Sequence, residues 1–94
     1  MLLMDTVAVV MGIEHEGLYA YKKVEILRPH VGELINDQDL VWQVKEVRLM
    51  TGKKQVGVAL EPFGDETKAA VSDPTGEPLR KAGWESFRPK TEQN

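Results

Sequence analysis

His15 stands between Glu14 and Glu16, and His30 follows Pro29. Imidazoles and carboxylates together can hold a divalent cation, so a metal site in this chain would be built from these residues. Their spacing argues against it. On an extended strand, neighbouring side chains alternate between faces, which turns Glu14 and Glu16 away from His15, and nothing in the spacing brings His30 near. Asp37 and Asp39 lie two apart in one polar turn, a spacing that suits hydrogen bonds to the turn's own backbone. The glycine and distal glutamate of a calcium loop are missing. Thr51-Gly52-Lys53-Lys54 has a single glycine and no helical pattern after it, so it does not form a phosphate cradle. Ser72 and Ser86 have no basic partner nearby in sequence, and no Gly-x-Ser-x-Gly elbow occurs. The chain has no cysteine, which excludes disulfides, thiolate zinc sites and cysteine nucleophiles. These residues predict no catalytic group, no metal and no cofactor.

The remaining chemistry is that of binding. Tyr19, Tyr21 and Trp42, with Lys22, Lys23 and Arg48, are the residue types of a stacking platform for single-stranded nucleic acid. With His30 they form a candidate ligand face. The net charge of −3 opposes a nucleic-acid role. Between Lys22 and Lys54 seven basic residues outnumber five acids, an excess of two, which is ordinary for a solvated surface.

These side chains are positioned by strands. The chain has 94 residues, 41% of them hydrophobic and 29% charged, which fits one globular domain with one modest core. Thr6–His15 carries three valines and an isoleucine, and β-branched residues favour strand over helix. Gly12 within it marks a bulge or a close backbone approach. Glu16-Gly17 supplies a turn, and Leu18–Arg28 returns as a second strand. Its tyrosines share one face and Val24 and Ile26 share the other, which predicts a bulge at Lys22-Lys23. The competing reading of residues 18–27 is an amphipathic helix. After Pro29, Leu34-Ile35 pairs with Val41-Trp42 across Asn36-Asp37-Gln38-Asp39. The longest hairpin signal runs from Val41 to Pro62 about Thr51-Gly52-Lys53-Lys54. A bulge near Lys45-Glu46 returns Val47 and Leu49 to the face of Trp42 and Val44. Val56, Val58 and Leu60 then line one face, and the opposite face carries only the small Gly57 and Ala59 in its middle.

Beyond Pro62, Phe63–Thr67 reads as a loop. Lys68–Ser72 and Glu77–Arg80 read as arms of a small hairpin about the turn Asp73-Pro74-Thr75-Gly76. Trp84 and Phe87 either plug the barrel or contact a neighbouring subunit. Residues 1–89 form one domain, with 63–89 as an arm or small hairpin, and 90–94 are a disordered tail.

The pattern predicts an all-β fold, a small antiparallel barrel or sandwich with a partly irregular C-terminal arm. The run Val31-Gly32-Glu33-Leu34-Ile35, a polar turn, then Trp42-Gln43-Val44-Lys45-Glu46-Val47 resembles small barrels of the Src-homology-3-like type, the architecture favoured here. It is also similar to the small barrel subunits of phage head–tail connectors. Small barrels expose edges and an end that must be covered, so the leading expectation is a non-enzymatic binding or assembly module that self-associates as a homo-oligomer; the resemblance implies a phage or mobile-element type. The bare pair Gly57 and Ala59 and the aromatics Trp84 and Phe87 are the candidate partner contacts. The alternatives are a small-ligand-binding protein or enzyme with a pocket at the barrel mouth or subunit interface, and a single-stranded nucleic-acid binder. The apolar N-terminal run is too short to span a bilayer and has no cleavage pattern, so the expected location is cytoplasmic.

Overall fold

A computed structural model describes residues 6–50, 52 and 55–87, with the side chain of Phe87 excepted. The expected tail at 90–94 and the turn lysines Lys53 and Lys54 lie outside the described residues. The chain forms β1 (Thr6–His15), β2 (Leu18–Leu27), β3 (Leu34–Asp37), β4 (Leu40–Met50) and β5 (Gln55–Pro62). Two helices follow, α1 (Asp65–Ser72) and α2 (Glu77–Lys81), and then a short β6 (Glu85–Phe87). The strands make one six-stranded sheet in the order β3-β4-β5-β1-β2-β6, curled into a half-barrel. The fold is all-β and barrel-like, as the alternation predicts. One pairing is parallel, β1 on β5.

The local chemistry explains the hairpins. β1 and β2 pair from Thr6↔Leu27 to His15↔Leu18, closing on a two-residue turn in which Glu16 and Gly17 have φ of 49° and 84°. Two successive positive φ values match the twist of the flanking strands, and glycine adopts its value without strain. β3 and β4 pair across the expected turn, with Ile35 opposite Trp42 and Leu34 opposite Gln43, about Gln38 and Asp39, which also have positive φ. The bulge in β4 falls between Val44 and Glu46, where the parity of the apolar residues breaks. It returns Val47 to the core side. Leu49 shares that face but is 65% exposed, because the helices stand at the other end of the hairpin, where β5 leaves the sheet.

Two expectations are corrected, the β2 bulge and the C-terminal hairpin, and the competing helix over 18–27 is set aside. β2 has no bulge: its register with β1 is continuous, so Leu18, Ala20, Lys22, Val24 and Ile26 all face the core side and the tyrosines face away. Residues 18–27 are strand, not helix. The arm after Pro62 is helical rather than a hairpin. In α1 the Ala69-Ala70 pair favours helix, and Asp65 and Glu66 occupy the first turn, where carboxylates complement the helix dipole. Its buried residues Thr67, Ala70 and Val71 recur at helical spacing. In α2 proline sits in the first turn and Arg80 and Lys81 in the last, the arrangement that a helix tolerates best.

The core lies between the sheet and these helices. It gathers Val9, Met11 and Ile13 of β1, Trp42 and Val44 of β4, and Val56, Val58 and Leu60 of β5 against Val71, Leu79 and Trp84. Thr67, the one buried polar residue among those described, accepts a hydrogen bond from the Val41 N–H at 2.9 Å and so docks α1 onto the start of β4. Thr67→Val keeps the shape but removes this acceptor, and an orphaned buried donor costs about 1–3 kcal/mol. Urea denaturation should show a loss in that range; unchanged stability would mean that Val41 finds another acceptor.

Candidate functional site

One face of the sheet is covered by the helices; the other is open. The open face follows from the sequence by period two: Ala8, Val10, Gly12 and Glu14 on β1, Tyr19, Tyr21 and Lys23 on β2, Gly57 and Ala59 on β5, and Glu46, Arg48 and Met50 on β4 after the bulge. Register sets them in rows. Arg48, Gly57, Val10 and Lys23 lie side by side, and Glu46, Ala59, Gly12 and Tyr21 form the next row. With two glycines, an alanine and one valine at its centre, the face has a low apolar floor between taller walls.

That floor belongs to an open groove of about 720 Å³. Tyr19 and Tyr21 stand on one side, and Glu46, Arg48 and Met50 on the other. Met50 leans over Gly57: a side chain there would meet the Met50 methyl at 2.8 Å, so that glycine makes room for a flexible thioether. The polar groups of the walls are engaged locally. The Tyr21 hydroxyl donates to Glu85 at 3.2 Å, and Arg48 Nε donates to Glu46 at 2.9 Å. The phenol of Tyr19 is held above its ordinary pKa by a hydrogen bond to Glu14 and by that carboxylate's charge. The charge of Glu85 and a hydrogen bond to it do the same for Tyr21. Both phenols therefore remain neutral donors far above neutral pH. The hydrogen bond from Arg48 and its charge draw Glu46 below the usual carboxylate range. The groove carries charge of both signs.

The residues singled out from sequence divide between this face and elsewhere. Gly57, Ala59, Tyr19, Tyr21 and Arg48 line the groove. Lys23 lies on the same face, exposed, opposite Val10. Lys22 does not: it points to the core side, where Nζ binds Asp37 at 2.7 Å and the Ala82 carbonyl at 2.6 Å. His30 lies in the β2–β3 connection, exposed, with its backbone N–H donating to Glu33. Trp84 is 3% exposed and packs on Trp42 with ring centroids 5.2 Å apart. Phe87 pairs by its backbone with Tyr19 at the sheet edge. The structure thus separates the proposed basic–aromatic cluster, putting Trp42 and Lys22 on the opposite side from the tyrosines.

Groove residues absent from the sequence-derived binding candidates include Val10, Gly12, Glu46 and Met50. Gly12 carries a signal, as a glycine inside a β-branched run; Val10 is recognisable only once β1 is known to lie beside β5, and Glu46 and Met50 once the β4 bulge sets their face. Among the described residues no group of three or more His, Asp or Glu is placed to hold a metal, and no helix is long and apolar enough to cross a membrane. No known protein family, curated protein or solved structure matches the chain.

Proposed function

We propose that the chain is a non-enzymatic binding and assembly module that receives a protein surface on its open sheet face. The observation that carries this reading is the low apolar floor of Val10, Gly12, Gly57 and Ala59 across two parallel-paired strands, covered at Gly57 by the flexible Met50 side chain. Small residues there let another backbone or side-chain layer approach closely. A small-ligand site is the weaker reading, because a pocket normally encloses most of its ligand and this groove is open. Nucleic acid is weaker still, since Arg48 is already matched by Glu46 and Glu14 and Glu85 add negative charge to the same face. The resemblance to ring-forming connector subunits points the same way. The absence of cysteine suits a reducing compartment, and we place its action in the cytoplasm.

The reading is tested by covalent footprinting of Tyr19, Tyr21 and Met50 in the cells that produce the chain and in dilute purified protein. Phe63, which is exposed beside α1, serves as the control. Protection of the three groove residues in cells, with Phe63 equally reactive in both, is expected. Equal reactivity of the groove residues in the two settings would reject a covered face.

A further inference from the structure

We infer that the occupant of the open face is a second copy of this chain, stacked face to face with its strands running antiparallel to the first. The inference rests on the binding-face reading and adds the partner and its orientation. It is carried by the order of charge and size along the strands. In the row containing Gly57 and Val10 the flanking residues are basic, Arg48 and Lys23; in the next row, containing Ala59 and Gly12, they are Glu46 and Tyr21, with Glu85 beyond Tyr21.

Consider a two-fold axis lying in the plane between two such sheets. If it runs parallel to the strands, each row faces its own row, so Arg48 meets the opposing Lys23 and Glu46 meets the opposing Tyr21–Glu85 pair. Like charges oppose one another in the first row. If the axis runs perpendicular to the strands and between the two rows, each row faces the other. Arg48 then meets the opposing Glu46, and Lys23 meets the opposing Tyr21 and Glu85. The floor fits as well: Val10 faces the opposing Gly12, and Ala59 faces the opposing Gly57, a side chain over a glycine at each position. Only the perpendicular axis satisfies charge and shape together. Met50 must swing off Gly57, which an unbranched thioether does readily. Stacked sheets sit about 10 Å apart, close enough for both sets of contacts. Two rows of four residues make a small contact beside the roughly 20–30 residues a side of a standard stable complex, so association in the micromolar range or weaker is expected.

The test is sedimentation equilibrium of the purified full chain up to about 1 mM, a range that covers a small interface of this kind. Three variants accompany it, each checked by circular dichroism for an intact fold. A reversible dimer is expected. Ala59→Arg, which sets two cations against the floor, should abolish it. Arg48→Glu, which opposes Glu46, should weaken it about tenfold. The reversed pair Glu46→Arg with Arg48→Glu should restore dimerisation with itself but not with the unaltered chain. A monomer throughout, with groove residues still protected in cells, would overturn self-pairing and leave the binding-face reading standing. A dimer indifferent to Ala59→Arg would overturn the inference by placing the contact elsewhere. A dimer lost in Ala59→Arg but unchanged in Arg48→Glu would overturn the antiparallel arrangement.

Discussion

Replacing Trp84 by alanine is expected to destabilise the chain by about 3–5 kcal/mol, the range for emptying a buried tryptophan site. Native domains have only about 5–15 kcal/mol in total, so this variant should sit near the edge of unfolding. Trp84 is almost fully buried and packs at a tilted 57° on Trp42, itself 0% exposed, a geometry that adds to simple burial. Its position is fixed by the end of α2. Gly83, at φ 91°, lets the chain turn back, so that the Trp84 N–H donates to the Leu79 carbonyl at 2.9 Å and the Gly83 N–H to the Arg80 carbonyl at 3.0 Å. This paired cap brings the residue after the glycine onto the last apolar residue of the helix, here Trp84 onto Leu79. The indole N–H has no hydrogen-bond partner among the described residues. Trp84→Phe therefore removes an unpaired donor while keeping most of the ring contact, and should cost well under half as much as alanine. Urea denaturation followed by far-ultraviolet circular dichroism measures both. A Trp84→Ala midpoint close to that of the unaltered chain would show that the tail does not seal the core. The same packing means that deleting the chain from Gly83 onward would test folding rather than assembly.

The strands were legible because their apolar residues alternate and their turns carry glycine, asparagine and aspartate. Even the β4 bulge was visible, as the point where Trp42 and Val44 fall out of phase with Val47. What the residues could not disclose was long-range. Parallel pairing of β1 with β5 joins segments more than 40 residues apart, and nothing local to Val10 or Gly12 indicates that Gly57 and Ala59 lie beside them. The helical arm was misread for a different reason. Lys68–Ser72 is short enough to serve as strand or helix, and the deciding signals are read otherwise: the acids of the first turn as loop, and the proline opening α2 as part of a hairpin arm. The candidate site was half legible. Gly57 and Ala59 stand out by size, whereas Lys22 is grouped with the tyrosines although it faces the core side. Reading the opposite parities of the tyrosines and of Val24 and Ile26 as a face switch predicts a bulge in β2 that the regular register excludes.

Lys22→Met is expected to cost roughly 2–3 kcal/mol, because removing one partner of a largely buried ion pair leaves the other uncompensated. The lysine side chain is 14% exposed and that of Asp37 21%. Lys22 belongs to β2 and Asp37 to β3, which are separated by three strands in the sheet, so their 2.7 Å contact draws the two sides of the half-barrel together. The same ammonium binds the carbonyl of Ala82 at 2.6 Å, at the C-terminal end of α2, where a cation is favoured by the helix dipole. One charge thus joins both margins of the sheet and the helix that delivers Trp84. Methionine preserves most of the aliphatic stem, so the loss reports the charge and its hydrogen bonds rather than packing. Asp37→Asn alone should cost less, since Lys22 keeps the Ala82 carbonyl and an amide oxygen. In the double variant the effects should fall short of their sum by more than about 0.5 kcal/mol, the margin that separates coupled from independent sites. Additive losses would show that the contact is incidental. Amide exchange adds a spatial readout. Breaking the clasp should speed exchange in β3 and α2 while leaving the β1–β5 pairing protected, whereas uniform acceleration would mean that Lys22 acts on global stability alone.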